Sequence, residues 1–124
     1  MSAPYTPATG LHLIADIAGA SHLGDAAAIE AVLRAAAAAA RVRVLGINLH
    51  HFGPEQGVTG VALLAESHIS IHTWPEEGWA AVDIFVCGSD ADAHAALVVI
   101  CAALGGEVRF SQAIPRLGAR ARGG

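Results

Sequence analysis

The sequence predicts an α+β fold, a two-layer sandwich with two helices on one face of a mostly antiparallel sheet. Two observations carry this. Apolar residues alternate with a period of two in the segments 11–17 and 42–50, further short apolar or β-branched segments follow, and apolar residues recur at helical spacing in two longer ones. The order is β-α-β-β-β-β-α-β, which suggests helices stacked on one face of a mostly antiparallel sheet.

Residues 1–9, with two prolines, read as a loose arm. Residues 11–17 (LHLIADI) put Leu11, Leu13, Ala15 and Ile17 on one face, as a strand does. Asp25 is placed to cap a helix over residues 26–40, whose apolar stripe is Ile29, Val32 and Leu33. Six consecutive alanines there favour helix but bury little area. Residues 42–50 (VRVLGINLH) are β-branched and alternating, hence a strand. Residues 52–60 (FGPEQGVTG) carry the glycine and proline marks of a loop. Short strands follow over 61–65 and 67–74 (SHISIHTW), and a turn at 75–78 folds the second of them onto 79–87 (WAAVDIFVC). Ser89 or Asp90 would cap a helix over 91–104, with His94, Leu97, Val98, Cys101 and Leu104 at helical spacing. Gly105 and Gly106 stop it, residues 107–113 form a last strand, and the rest reads as tail.

A chain of 124 residues fits one domain, residues 1–124. Hydrophobic residues make up 54%, charged residues 15% and aromatics only 5%, so the core is rich in small side chains and invites completion by a second subunit. The net charge of −4 argues against nucleic acid as a partner. Arg116, Arg120 and Arg122 beside the terminal glycines read as a solvated tail. The chain begins without a signal pattern, and its longest apolar stretch falls short of the roughly 20 residues a bilayer requires, so no membrane partner is expected. Two cysteines are too few for a disulfide scaffold, and a cytoplasmic location is the default.

Reactive side chains concentrate between Gly57 and Gly88: Thr59, Glu66, Ser67, His68, Ser70, His72, Glu76, Asp83 and Cys87. Polar groups inside apolar strands cost about 1–3 kcal/mol each unless hydrogen-bonded, so their gathering requires a reason. If Trp74 faces Trp79 across the turn, His72 lies opposite Ala81 and Glu66 opposite Cys87. His72, Asp83 and Cys87 then share a face, with Cys87 beside the Glu66–Ser67 peptide bond. Strict alternation puts Ser67 on the other face from His72, so bringing the two together requires a bend or bulge near Ser67. Three chemistries fit these residue types. Ser67 or Cys87 could attack a substrate with histidine as base, although no glycine elbow surrounds Ser67. His50, His51, His68, His72 and Cys87 could ligate a metal, but no paired-cysteine or HExxH spacing occurs, and no metal is expected. Ser67 could instead attack its own preceding peptide bond. The residues alone leave these open.

The segment ESHISIHTWPEEGWAAVDIFVCG resembles the signature of prokaryotic S-adenosylmethionine decarboxylases. The resemblance continues upstream through HHFGPEQGVTGVALLAE and more weakly to GLHLIADI, over roughly residues 10–105. It implies a precursor that cuts itself before Ser67, giving a β chain of residues 1–66 and an α chain of residues 67–124. Ser67 would attack the Glu66 carbonyl, and elimination and hydrolysis would leave a pyruvoyl group derived from Ser67. That group forms a Schiff base with the substrate amine and serves as the electron sink in place of an external cofactor. His72 matches the histidine that accepts a proton during processing, Thr59 a serine that supports processing, and Cys87 the cysteine that protonates the decarboxylated carbon. Cys101 fits an inert core thiol better. Phe52 matches an aromatic that stacks on adenine, and Glu76 a glutamate that binds the ribose hydroxyls. The implied substrate is S-adenosylmethionine, the product the aminopropyl donor of spermidine synthesis, and the implied assembly a homodimer of processed units.

Four departures stand out. The loop after Phe52 is one residue longer than usual, and IADIAGASHL lacks an aromatic and a cysteine common there. Glu77 and Trp79 stand where tyrosines are common, and the tail is arginine-rich. None touches Ser67, His72 or Cys87, so they bear on substrate rather than on processing. The alternatives they keep in view are the same chemistry on arginine or ornithine, and an unprocessed, non-catalytic relative.

Overall fold

The computed structural model describes residues 8–118. Most of the expected N-terminal arm, and Arg120 and Arg122 of the tail, lie outside the described residues. The chain runs β1 (Thr9–Ala18), α1 (Ala26–Ala39), β2 (Val44–His51), β3 (Val58–Leu64), β4 (Ser67–Trp74), β5 (Trp79–Cys87), α2 (Ala93–Leu104) and β6 (Glu107–Leu117). The strands form one sheet in the order β2-β3-β4-β5-β1-β6, and its pairings are antiparallel. Both helices cover one face, as the α+β expectation requires.

Alternation decides which face that is. Leu13, Ala15 and Ile17 on β1, Ile69 and Ile71 on β4, and Val82, Ile84 and Val86 on β5 are buried against Ile29, Leu33, Leu97, Ile100 and Leu104 of the helices. The alanine run has a use that its small area hides. Ala36, Ala37 and Ala40 are fully buried, and side chains this small let α1 sit close to its neighbours. Thr73, the one buried polar residue among the described residues, donates to Leu23 O (2.6 Å) and accepts from Val58 N (2.8 Å). It thereby ties the β4 end to the α1 approach without an unsatisfied group.

Several boundaries differ from the sequence expectation. The loop expected over 52–60 ends three residues early, because β3 starts at Val58. Gly60 lies inside the strand, where a Cβ would come 2.4 Å from Leu49 Cδ2, so this glycine marks close packing rather than a turn. Gly57 is similar: its Cβ would fall 2.0 Å from Thr73 O. The cap of α2 is Asp92, whose side chain accepts from Ala95 N at 3.0 Å, in place of Ser89 or Asp90. The buried stripe of α2 is Ala93, Ala96, Leu97, Ile100 and Leu104. Val98 is 67% exposed and His94 also faces outward. That helix is apolar nearly all round, so periodicity could not choose its face. β6 continues to Leu117, four residues into the expected tail.

Candidate active site

The face away from the helices is built in transverse rows by the strand register. One row runs His50, Thr59, His72, Ala81, Asp16, Phe110 across the six strands. A second runs Asn48, Val61, Ser70, Asp83, Ile14, Gln112, and a third Gly46, Leu63, His68, Phe85, His12, Ile114. The expected pairs Trp74 with Trp79 and His72 with Ala81 are both present.

Thr59 and His72 are ladder partners, and Thr59 Oγ1 hydrogen-bonds His72 Nδ1 at 3.2 Å. The same end of the sheet carries the loop between β2 and β3, closed by Phe52 N donating to Gly57 O at 3.1 Å. Phe52 packs edge-on against His50, ring centroids 4.5 Å apart, and remains 61% exposed. A cleft of about 270 Å³ lies there, lined by Phe52, Gln56, Thr59, His72, Trp74 and Glu76. The sequence-predicted Phe52, Thr59, His72 and Glu76 therefore meet in one place. Glu77 and Trp79, two of the departures from the family pattern, line a neighbouring cleft of about 320 Å³ with Asp16 and Trp74.

Ser67 and Cys87 lie at the other end. The β3–β4 hairpin turns through Ala65 and Glu66, and Leu64 pairs with Ser67. Glu66 has φ 59°, in the left-handed region that costs an L-residue with a side chain about 1–2 kcal/mol. The residue before the candidate scissile bond is thus strained and exposed. Ser67 Oγ accepts a hydrogen bond from Cys87 N at 3.1 Å. Burial pushes the Cys87 thiol above its ordinary value, and the nearby Glu66 charge pushes it further in the same direction.

These two groups do not converge within one chain. β4 is regular from Ser67 to Trp74, without the bulge that would turn Ser67 toward His72. Ser67 falls on the strand positions of buried Ile69, Ile71 and Thr73, and His72 on the opposite, open face. Five residues of strand separate them, about 17 Å. The bend is absent because both neighbours of β4 keep continuous ladders with it.

Between the two ends sits a polar group to which the sequence assigned no part in processing or turnover. His12 Nε2 contacts Asp83 Oδ1, Ser70 Oγ donates to Asp83 Oδ2 at 3.3 Å, and His68 Nε2 lies 3.7 Å from the same oxygen. Arg116, read as tail, stands on β6 with its guanidinium over the Phe85 ring, 5.8 Å from the centroid. The polar positions His12 and Asp16 of the β1 alternation were the available signal for this layer; nothing in the sequence placed Arg116. Among the described residues, no three histidine, cysteine or acidic side chains gather closely enough to hold a metal ion, and no helix is long and apolar enough to cross a membrane.

With this geometry in hand, comparison with known proteins is informative. A family model described as S-adenosylmethionine decarboxylase matches residues 11–116. An S-adenosylmethionine decarboxylase proenzyme of Thermomicrobium roseum is 41% identical over 91 residues, 73% of this chain and 78% of that protein. One of Pyrobaculum neutrophilum is 43% identical over 97 residues, 77% and 78% of the two chains. In three dimensions the chain resembles the crystal structure of the adenosylmethionine decarboxylase from Aquifex aeolicus VF5, with a TM-score of 0.75 and 34% identity, over 90% of this chain and 91% of that one.

Proposed function

The chain belongs to the S-adenosylmethionine decarboxylase family, and from that premise we propose that it is a single-domain precursor that cuts itself between Glu66 and Ser67 and then decarboxylates S-adenosylmethionine. The observation that carries the proposal is the Ser67–Glu66–Cys87 arrangement: a hydroxyl at the start of a strand, a strained residue before it, and the backbone N–H of Cys87, a residue whose thiol is pushed above its ordinary pKa, donating to that hydroxyl.

The chemistry follows from these groups. Ser67 Oγ attacks the Glu66 carbonyl carbon; the amide C–N bond breaks and an ester forms, leaving the Ser67 nitrogen as an amine. Relief of the left-handed turn at Glu66 favours this step. Removal of the Ser67 α-proton expels the Glu66 carboxylate, and hydrolysis of the resulting dehydroalanine gives ammonia and a pyruvoyl group on residues 67–124. His72 is the base: in the tautomer that donates Nδ1–H to Thr59 Oγ1, the Nε2 lone pair is free. The Ser67 position fits the pyruvoyl group, because the hairpin turn is exposed and the new terminus starts at the end of a strand beside Cys87. The pyruvoyl carbonyl supplies an electrophile for the substrate amine and an electron sink for decarboxylation. Cys87, its pKa raised, keeps its proton at neutral pH and delivers it to the carbon that has lost carbon dioxide.

His72 lies too far from Ser67 of its own chain to do this work. A second copy, docked with its open sheet face against the first and its ends reversed, brings the Phe52–Thr59–His72–Glu76 end of one chain over the Cys87 end of the other, and the exposed turn at Ala65 and Glu66 then has to rotate Ser67, the first residue of β4, toward the open face for His72 to reach it. The exposed Trp74, Phe110 and Leu63 supply apolar area for such a contact. In that homodimer Phe52 stacks on the adenine and Glu76 accepts hydrogen bonds from the ribose hydroxyls. The names of the relatives favour S-adenosylmethionine over arginine or ornithine as substrate, and with it supply of the aminopropyl donor for spermidine. The processed protein, treated with S-adenosylmethionine and cyanoborohydride, should gain the mass of the bound substrate or product on the 67–124 fragment alone. Absence of any adduct, or an adduct on residues 1–66, contradicts the reading.

A further inference from the structure

Arg116 is placed by a device that involves three strands. Gly10 of β1 pairs with Cys87 of β5 on one side and with Arg116 of β6 on the other. A Cβ on Gly10 would come 3.1 Å from Phe85 Cζ and 3.5 Å from Arg116 Cβ. The Phe85 ring therefore fills the space over β1 that a side chain at position 10 would take. It meets Arg116, whose Cζ stands 5.8 Å from the ring centroid. Arg116 Nη1 lies 3.4 Å from His12 Nδ1, and the other nitrogen of His12 is held by Asp83. Asp83 thus spends its charge on histidines. Arg116 is exposed, and among the described residues it pairs with no carboxylate. Its backbone is two strand spacings from Cys87, about 10 Å.

We propose that Arg116 is the specificity residue that holds the α-carboxylate of the amino-acid substrate. The inference rests on the decarboxylase reading above. A permanently charged, planar donor set suits a carboxylate, and the Phe85 ring and His12 keep it on the open face, on the Cys87 side of the sheet. The carboxylate is present in the substrate and gone from the product. Its charge also flows out of the carboxylate as carbon dioxide leaves, so a grip that tightened throughout would oppose the reaction. An exposed guanidinium shared with an aromatic face holds it only moderately. Arg116 accordingly acts on substrate binding, and neither on the chemical step nor on the affinity for product.

The test is kinetic, on processed wild type, Arg116→Gln and Arg116→Lys, with rates referred to the pyruvoyl-bearing fraction. Arg116→Gln should raise KM for S-adenosylmethionine by about tenfold or more while kcat falls by less than about threefold. Inhibition by the decarboxylated product, which has no carboxylate, should change by less than about twofold, and Arg116→Lys should recover part of the lost affinity. An unchanged KM, or product affinity that weakens in step with KM, overturns the assignment, the latter because it marks a merely structural role. Should Arg116→Gln process too poorly to assay, Phe85→Leu removes the supporting ring and must show the same split between substrate and product. Intact mass of the wild type separates the two levels: an uncleaved wild type defeats the decarboxylase reading, whereas a cleaved wild type with an immobile KM defeats only the role of Arg116.

Discussion

Ser67 Oγ accepts a hydrogen bond from the backbone N–H of Cys87 at 3.1 Å, which fixes the hydroxyl of β4 against the last residue of β5. Removing it should abolish cleavage and cost little else. Ser67→Ala is expected to remain one chain by denaturing electrophoresis, with stability lowered by about 1 kcal/mol in denaturant titration, the worth of one hydrogen bond.

The Thr59–His72 contact gives a graded series. His72→Ala should slow cleavage by about a hundredfold or more, the usual contribution of a positioned base. Thr59→Ala should slow it less, and Thr59→Ser should restore it, because only the hydroxyl holds the ring. Time courses of fragment appearance measure all three, and equal rates for Thr59→Ala and wild type would remove Thr59 from the mechanism.

Cys87 predicts a pH dependence. Its thiol is pushed above the ordinary cysteine value, first by burial and then by the Glu66 charge. The protonated, donating form therefore persists through neutral pH, and turnover should fall only on the alkaline side, above the ordinary thiol range. Glu66→Gln removes the electrostatic contribution and should shift that alkaline limb to lower pH. Cys87→Ala should still be cleaved but turn over poorly. A limb unmoved by Glu66→Gln would show that some other group titrates.

A composite site makes a complementation prediction. His72→Ala and Cys87→Ala damage opposite ends of the sheet, so a mixed dimer retains one intact site. Co-expression of the two variants should give about a quarter of wild-type activity when subunits assort at random, where each variant alone is nearly inactive. No recovery in verified mixed dimers would argue for sites contained within one chain.

Gly57 tests the packing that sets the cleft. A Cβ there would meet Thr73 O at 2.0 Å, so Gly57→Ala should destabilise the fold by about 1–3 kcal/mol through forced movement of β3 against β4, measured by denaturant unfolding.

What the sequence revealed and what it hid follow physical lines. The alternation of LHLIADI and WAAVDIFVC located β1 and β5 and their inner faces, because a half-buried strand must separate its side chains by polarity. The Trp74–Trp79 turn set the hairpin register. The start of β3 was hidden because Gly57 and Gly60 look like turn residues, while packing against Thr73 and Leu49 is what demands them. The stripe of α2 was hidden by its nearly uniform apolar character. Arg116 was hidden because its partners Phe85 and His12 are 31 and 104 residues away along the chain, a separation at which no local pattern operates. The separation of Ser67 from His72 was half legible: alternation put them on opposite faces, and only the unbroken β4 ladder excludes the bend that would have joined them.

The central claim is the cut at Glu66–Ser67, and intact-mass measurement of the purified protein tests it most directly. Two fragments are expected, residues 1–66 and residues 67–124, the second beginning with a pyruvoyl group in place of serine. A single full-length species that persists on prolonged incubation would contradict the account.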